Sequence, residues 1–428
     1  MVTDYEAAVA YLDSHIGRGV KPGLDRITGL LDILARPDEA YPIIHIAGSN
    51  GKTSTARMIM TLVAAHGLGA GLFTSPHLDA VEQRYHLNGF PMTPGEFAEA
   101  VADIAPIVDL YEERTGDLVT YFELTAALAF AWFAERAVDV GVVETGLGGR
   151  LDATNAATST VAVITTIGLE HTAYLGDTIP EIAAEKLAIL DDQGVLVTGD
   201  LDPEALEVAE TRVREQNARW LRLGEDYRIV DPGRTEGGWA FDLEGVFGAY
   251  EDVRLGLRGR HQVTNFATAV AAVEALFDRA LDEAGVREAA ATVTSPGRME
   301  LVAGDPLILT DGAHNPQGMH ALATALREEF PDIRWVAVVG AMADKDVPAM
   351  LRHLDGLVQE VHSAAADSPR ALEAETMASL ARERLGVDAT AHASVAAAVA
   401  EAMATGDPIL ITGSIYVVAE ARKALGVA

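Results

Sequence analysis

The stretch Ile43-Ile44-His45-Ile46-Ala47-Gly48-Ser49-Asn50-Gly51-Lys52-Thr53-Ser54 decides how this chain folds. Its first five residues read as a buried strand, Gly48 to Gly51 as a loop, and Lys52 to about His66 as a helix. A glycine-rich turn between strand and helix aims backbone N–H groups and the helix N-terminus at an anion. Lys52 can then reach the β- and γ-phosphates, and a hydroxyl of Thr53 or Ser54 can hold Mg²⁺. The match to G-x-x-x-x-G-K-[ST] is incomplete, because Ile46 stands where the first glycine would fall. A bland turn explains the glycines, but not why one of only five lysines follows them. Gly48, Ser49, Asn50, Gly51, Lys52, Thr53 and Ser54 are therefore the expected nucleotide contacts.

Outward from this loop, short β-branched runs alternate with Ala-rich helical stretches, the pattern of an α/β protein with a mostly parallel sheet. Val138–Glu144 and Val161–Thr165 read as further strands, and Thr125–Ala134 as a helix. Across Tyr227–Leu257 apolar and polar residues alternate about a Gly237-Gly238 turn, a small antiparallel excursion. After the break at Ser295-Pro296-Gly297-Arg298 the alternation restarts, with strands expected at Leu307–Thr310, Trp335–Val339, Gly356–Val361 and Pro408–Ile411. The expected organisation is an ATP-binding domain over 1–294, a hinge at 295–299 and a smaller Rossmann-like α/β domain over 300–428.

Composition narrows the function classes. With no Cys in 428 residues there is no disulfide framework, thiolate nucleophile or Cys-ligated metal. The start, Met1-Val2-Thr3-Asp4-Tyr5-Glu6, has no basic leader or apolar h-region, and no apolar run approaches the roughly 18 residues of a membrane span. A cytoplasmic protein is the expectation. The net charge of −32 argues against nucleic acid or an anionic membrane as a partner. Acidic residues recur along the whole chain, and 27 of its 32 cations are Arg. Such a surface repels itself unless salt screens it, with a Debye length of about 3 Å near molar ionic strength. A halophilic setting is the expectation.

The phosphate loop resembles the shortened loop of the Mur ligase superfamily, and the following motifs resemble its folylpolyglutamate synthase/dihydrofolate synthase branch. Thr74-Ser75-Pro76-His77-Leu78 is similar to that branch's S-P-H-L loop. Arg84 with Asn88-Gly89 matches E-R-x-x-x-N-G, with Gln83 in the Glu position. Leu118 to Glu123 resembles T-[YF]-F-E, and Glu144 to Asn155 resembles E-V-G-L-G-G-R-L-D-A-T-N, with Thr145 for Val. Gly168 to Thr172, Glu185-Lys186, His261-Gln262 with Asn265, Pro296 to Arg298, Asp311 to Pro316, Ala343 to Asp346 and Thr412 to Ser414 follow in family order.

The resemblance implies an ATP-dependent ligase that phosphorylates a pterin or folate carboxylate and joins it to the amine of L-glutamate, acting as a monomer. Its metal positions fall on Ser75, Glu144 and His171, beside Thr53 or Ser54. Mg²⁺ suits the hydroxyl and carboxylate better than the imidazole, and K⁺ is a further candidate. Catalytic positions fall on Lys52, Lys186, Arg298 and His314, with Lys186 open to carbamylation; a solvated partner of Glu181 or Glu185 is its bland alternative. Nucleotide positions also fall on Asn265, Arg298 and Asp311. For His314, a helix-capping loop at Asn315-Pro316 is the competing account, and Asp344-Lys345-Asp346 reads equally as substrate chemistry or solvated charge. Thr120, Tyr121, Phe122, Glu123, Leu151, Asp152 and Ala153 fall where the family holds dihydropteroate, although aromatics before a helix are more often core. The alternatives are a sibling ligase acting on another carboxylate, and a nucleotide-binding regulatory module. From the surface charge, the melting temperature should rise between low and molar KCl; a thermal melt showing no rise would remove the halophilic reading.

Overall fold

A computed structural model describes residues 2–19 and 21–427. Two compact units emerge. The first comprises residues through Pro232 with Phe241–Leu255 and Thr264–Val293; the second comprises Gly233–Ala240, Gly256–Val263 and the chain from Thr294 onward. A single boundary in sequence, as expected at 295–299, thus has two excursions before it. They join the second unit because the Glu329 carboxylate takes the Gly259 N–H at 2.5 Å, Arg258 Nη1 at 3.1 Å and Trp239 Nε1 at 3.3 Å.

In the first unit, among the described residues, the strands are Ile43–Ala47 (β1), Ala70–Phe73 (β2), Tyr85–Leu87 (β3), Phe90–Pro91 (β4), Val140–Glu144 (β5), Val161–Ile164 (β6), Val195–Thr198 (β7) and Arg219–Arg222 (β8). They form one sheet in the order β4-β3-β2-β5-β1-β6-β7-β8. Its parallel centre is buried along β1, β5 and β6, and strands covered on both faces read as continuous apolar runs. Only β3 and β4 at one edge pair antiparallel. Ile46 is paired with Glu144, and Ala47 with Ile164. The phosphate loop, Glu144 and Thr165 therefore leave the sheet side by side at its C-terminal edge, where open α/β sheets bind ligands.

Local sequence sets the helix starts. The expected helix at Thr125–Ala134 runs over Tyr121–Glu135, because Thr120 and Glu123 form a reciprocal capping box one turn earlier. Equivalent boxes open Pro94–Thr115 at Thr93/Glu96 and Ile179–Leu187 at Thr178/Glu181. The antiparallel excursion is a three-stranded ribbon of Arg228–Arg234 (β9), Trp239–Glu244 (β10) and Ala249–Leu255 (β11).

The second unit's sheet contains Glu300–Gly304 (β12), Leu307–Thr310 (β13), Trp335–Val339 (β14), Val358–Ser363 (β15), Asp388–Ala391 (β16) and Ile409–Thr412 (β17). The order is β12-β13-β17-β14-β15-β16, parallel except for the β12–β13 hairpin. Sequence reading finds β13, β14, β15 and β17 but not the edge strands β12 and β16, whose half-exposed residues lack an apolar run. Among the described residues, no helix is long and apolar enough to cross a membrane.

Glu274 is fully buried within the helix Arg260–Phe277 and holds the β10–β11 turn. Its carboxylate accepts the N–H groups of Val246 at 2.6 Å, Phe247 at 3.3 Å and Gly248 at 2.9 Å, and the Tyr250 hydroxyl at 2.7 Å. Replacing Glu274 by Leu should orphan these donors and cost about 3–5 kcal/mol in a denaturant titration. Glu274→Gln, which keeps one acceptor oxygen, should lose less.

Candidate active site

The phosphate loop is fixed by contacts only its own residues can make. Gly48 lies at φ +156, and a Cβ there would stand 2.0 Å from Thr165 Oγ1. Gly51 lies at φ +84, and a Cβ there would approach Asn265 Oδ1 to 2.7 Å. Ser49 N–H donates to the Thr166 carbonyl at 2.8 Å and Asn50 N–H to Thr166 Oγ1 at 3.0 Å. Ser49 Oγ and Thr165 Oγ1 complete the seam, donating to the carbonyls of Gly168 at 3.1 Å and Asn50 at 2.6 Å. Ser49 thus shapes the loop through its backbone and its hydroxyl, and Asn50 through its N–H and carbonyl. Gly51, as N-cap of Lys52–Ala65, brings no side-chain cap, leaving the first-turn N–H groups suited to an anion. Asn265 is buried against this turn.

Two ammonium groups meet at the loop. Lys52 Nζ donates to the Gly48 carbonyl at 2.8 Å, and Lys186 Nζ donates to the same oxygen at 3.0 Å. Lys186, 2% exposed, also pairs with Glu170 Oε1 at 2.8 Å. This removes its reading as a solvated partner of neighbouring acids: Glu181 caps its own helix, and Glu185 pairs with Arg150 at 2.7 Å. Burial works on both members of the pair. It lowers the Lys186 pKa despite Glu170, whereas for Glu170 the charges of Lys186 and Lys52 overcome burial and hold the carboxyl down to about 2. Glu170 lies within a motif visible in sequence, yet its role as counter-ion follows from the fold.

Glu144, 1% exposed, receives Thr53 Oγ1 at 2.9 and 3.0 Å to its two oxygens and the Ser75 N–H at 3.4 Å. A hydroxyl beside a carboxylate is the hard-oxygen donor set that Mg²⁺ accepts alongside water and phosphate oxygens, so these residues fit that ion. Among the described residues, no group of three or more His, Asp or Glu side chains gathers into a self-sufficient metal cluster. His171 lies in the left-handed region at φ +46 as N-cap of Thr172–Leu175, next to Glu170 in sequence.

The motifs assigned to a pterin divide into two kinds. Tyr121 faces Arg84, whose guanidinium carbon lies 5.4 Å from its ring centre, and Arg84 Nε donates to His77 Nδ1 at 3.0 Å. Burial, then Arg84, push His77 down to about 4, leaving a neutral acceptor. Phe122 covers Gly146, where a Cβ would come within 2.5 Å of its ring. Thr120 and Glu123, by contrast, are the helix cap, with Glu123 paired to Arg26 at 3.0 Å. Asp152 accepts from the N–H groups of Gly146 at 2.9 Å, Leu147 at 2.8 Å and Thr154 at 3.1 Å, and from the Thr154 hydroxyl. Its acceptor positions serve its own loop. Leu151 is exposed and Ala153 buried.

In the second unit, Asp311 follows β13 and accepts Met299 N–H at 2.9 Å and Ala313 N–H at 2.8 Å. Arg298 lies against Gly312, where a Cβ would be 2.2 Å from Nη1. His314 Nδ1 is 2.9 Å from the Gly312 carbonyl, which requires the proton on Nδ1. Asn315 caps Pro316–Glu329 through the Gly318 N–H at 2.7 Å. Asp346 caps Val347–Arg352, and Asp344 pairs with Arg370 at 3.1 Å, so both acids have structural duties, while Lys345 is nearly buried.

Comparison with known proteins identifies the family of the fold. Residues 46–273 match the Mur ligase middle domain and residues 297–415 the Mur ligase glutamate ligase domain. Fold and site thus define an ATP-dependent ligase of the Mur type. A Mycobacterium tuberculosis dihydrofolate synthase/folylpolyglutamate synthase is 38% identical, over 95% of this chain and 91% of its own. The M. tuberculosis folylpolyglutamate synthase structure complexed with ADP and AMPPCP superposes with a TM-score of 0.94 at 37% identity, covering 99% of each chain. E. coli FolC in complex with DHPP and ADP gives 0.87 at 29%, covering 99% of this chain and 98% of its own. The chain belongs to the folylpolyglutamate synthase/dihydrofolate synthase family.

Replacing Glu170 by Gln should leave the Lys186 ammonium buried without its counter-charge, costing about 3–5 kcal/mol at neutral pH. A depressed carboxyl contributes stability that is present above its unfolded pKa of 4.5 and is lost as pH falls through about 2. Acid unfolding followed by circular dichroism should accordingly show the wild-type advantage over Glu170→Gln at neutrality and its disappearance toward pH 2.

Proposed function

We propose that this chain joins L-glutamate to the carboxylate of dihydropteroate, of a reduced folate, or of both, with ATP as phosphoryl donor. The observation that carries this reading is the convergence of Lys52 and Lys186 on the Gly48 carbonyl, at 2.8 and 3.0 Å, in a chain with five lysines and a net charge of −32. Cation concentrated beside a phosphate loop serves a polyphosphate and the charge that develops during its transfer. The E. coli relative solved with DHPP and ADP supports the substrate class.

In this reading a carboxylate oxygen attacks the γ-phosphorus and ADP departs, giving an acyl phosphate. The glutamate amine, after losing a proton, attacks the acyl carbon and phosphate leaves. Lys52 and Lys186 neutralise phosphate oxygens, while Gly48 and Gly51 give the backbone the close approach this needs. Mg²⁺, held by Thr53 and Glu144 with Ser54, Ser75 and His171 as the further family positions, would supply charge neutralisation at the phosphates; K⁺ is a second cation of the same reading. Asn265, Arg298 and Asp311 are assigned to the nucleotide, and His314, with its Nδ1 proton fixed, to the transferring group. Tyr121 and Phe122 offer the flat faces for a pterin beside Leu151 and Ala153. Asp152, Thr120 and Glu123 act by shaping the loop and helix that carry them. Lys186 is read as an ammonium, because a carbamate would set an anion against Glu170.

The test is ADP release in high KCl with ATP, Mg²⁺ and L-glutamate, comparing dihydropteroate with tetrahydrofolate and weighing the products. Turnover of dihydropteroate would establish the first-glutamate step, and mass added to tetrahydrofolate would establish extension. ADP formation dependent on neither pterin would reject the folate assignment in favour of a sibling ligase. A rate that rises on adding bicarbonate would mark Lys186 as carbamylated instead.

A further inference from the structure

The turn that carries Arg298 is held far more tightly than a linker requires. Gly297 and Met299, on either side of it, lie in the left-handed region at φ +69 and +45. A residue with a Cβ keeps that conformation only where its surroundings enforce it. Here they do. Gly297 N–H donates to Glu300 Oε2 at 2.8 Å, Arg298 N–H to the Ser295 carbonyl at 3.1 Å and Met299 N–H to Asp311 Oδ2 at 2.9 Å. The Gly297 carbonyl accepts the Gly312 N–H at 2.8 Å and Arg298's own Nη1 at 3.1 Å.

Glu300 sits at the centre of this arrangement. The oxygen that holds Gly297 also receives Thr310 Oγ1 at 3.3 Å and the guanidinium of Arg422. Arg422 belongs to the helix Ile415–Leu425, its side chain is 9% exposed, and its Nη2 donates to the Val427 carbonyl at 2.9 Å. A partly buried ion pair such as this one is a weak source of net stability, since apolar side chains of similar volume pack as well without the desolvation cost. Apolar side chains, however, could not accept the Gly297 N–H.

We propose that Glu300 and Arg422 are positioning residues for the ligation reaction. Arg422 fixes the Glu300 carboxylate, Glu300 fixes the Gly297–Met299 turn, and the turn presents the Arg298 guanidinium already oriented for phosphate oxygens. This rests on the assignment of Arg298 to the nucleotide made above.

The experiment compares Arg422→Met, Arg422→Lys, Glu300→Gln and Arg298→Ala in the full chain, with steady-state kinetics normalised to folded protein by thermal melt. Arg422→Met should raise the KM for ATP and lower kcat by about tenfold to a hundredfold, the penalty of a misplaced catalytic contact. The KM for L-glutamate should stay within about twofold, and Arg422→Lys should recover most of the loss because an ammonium still meets Glu300. In an Arg298→Ala background Arg422→Met should add nothing further, since both act through one guanidinium. Should Arg422→Met fail to fold, Glu300→Gln keeps an oxygen for Gly297 and loses only the charge; it should show the same ATP-specific defect, smaller and likewise absent in the Arg298→Ala background. Unchanged kinetics in the folded Arg422 or Glu300 variants, with Arg298→Ala impaired, would overturn the proposal. So would an Arg422→Met defect that persists undiminished without Arg298. Normal ATP kinetics in Arg298→Ala would instead overturn the assignment on which it rests.

Discussion

The Gly48 carbonyl receives two ammonium groups, and the organisation of the first unit follows from making that contact possible. Lys52 arrives from the helix directly after the loop, and Lys186 from a helix 138 residues beyond Gly48. Two cations sharing one carbonyl repel each other, and burial penalises the Lys186 charge further. Glu170 balances them with a carboxylate that stays ionised because it faces both. Only the C-terminal edge of a parallel sheet, with β5, β1 and β6 adjacent, brings these segments together while leaving helix N–H groups beside the cations.

Carboxylates also hold loops within each of the two units. Glu123, Asp152, Glu274, Glu300 and Asp311 each accept backbone N–H groups within their own neighbourhood. A loop that must keep one shape for a ligand cannot leave its N–H groups to compete for water, and a carboxylate accepts several at once. In a chain this acidic, some acids within the quoted motifs are therefore framework, while their neighbours are the residues proposed for the substrate. Asp152 beside Leu151 and Glu123 beside Phe122 are instances of this division.

The acidic balance of the whole chain is a separate matter. Most of its carboxylates lie at the surface, and among the described buried residues carboxylates also outnumber cations. The five lysines divide: Lys52 and Lys186 are held at the loop and Lys345 is nearly buried, whereas Lys21 and Lys423 are exposed.

By itself the sequence determined the strand–loop–helix at Ile43–Ala65, the α/β class, the antiparallel ribbon and the family, because each depends on local pattern or on motif order. A short, nearly continuous apolar run marks a buried strand such as β1, and only glycine fits at Gly48 and Gly51, so those features are written where they act. Edge strands β12 and β16 were not legible, since a half-exposed strand has no continuous apolar run. The tertiary structure alone decided which acids are counter-ions and which are staples. Glu170 and Glu185 flank Lys186 in the same acidic chain, and the nearer in sequence turns away to Arg150 while the farther becomes its partner. Likewise Arg422 meets Glu300 across 122 residues, a pairing no local rule encodes. Hydrogen bonds and ion pairs act over about 3 Å in space, and only folding settles which distant side chains come within that reach.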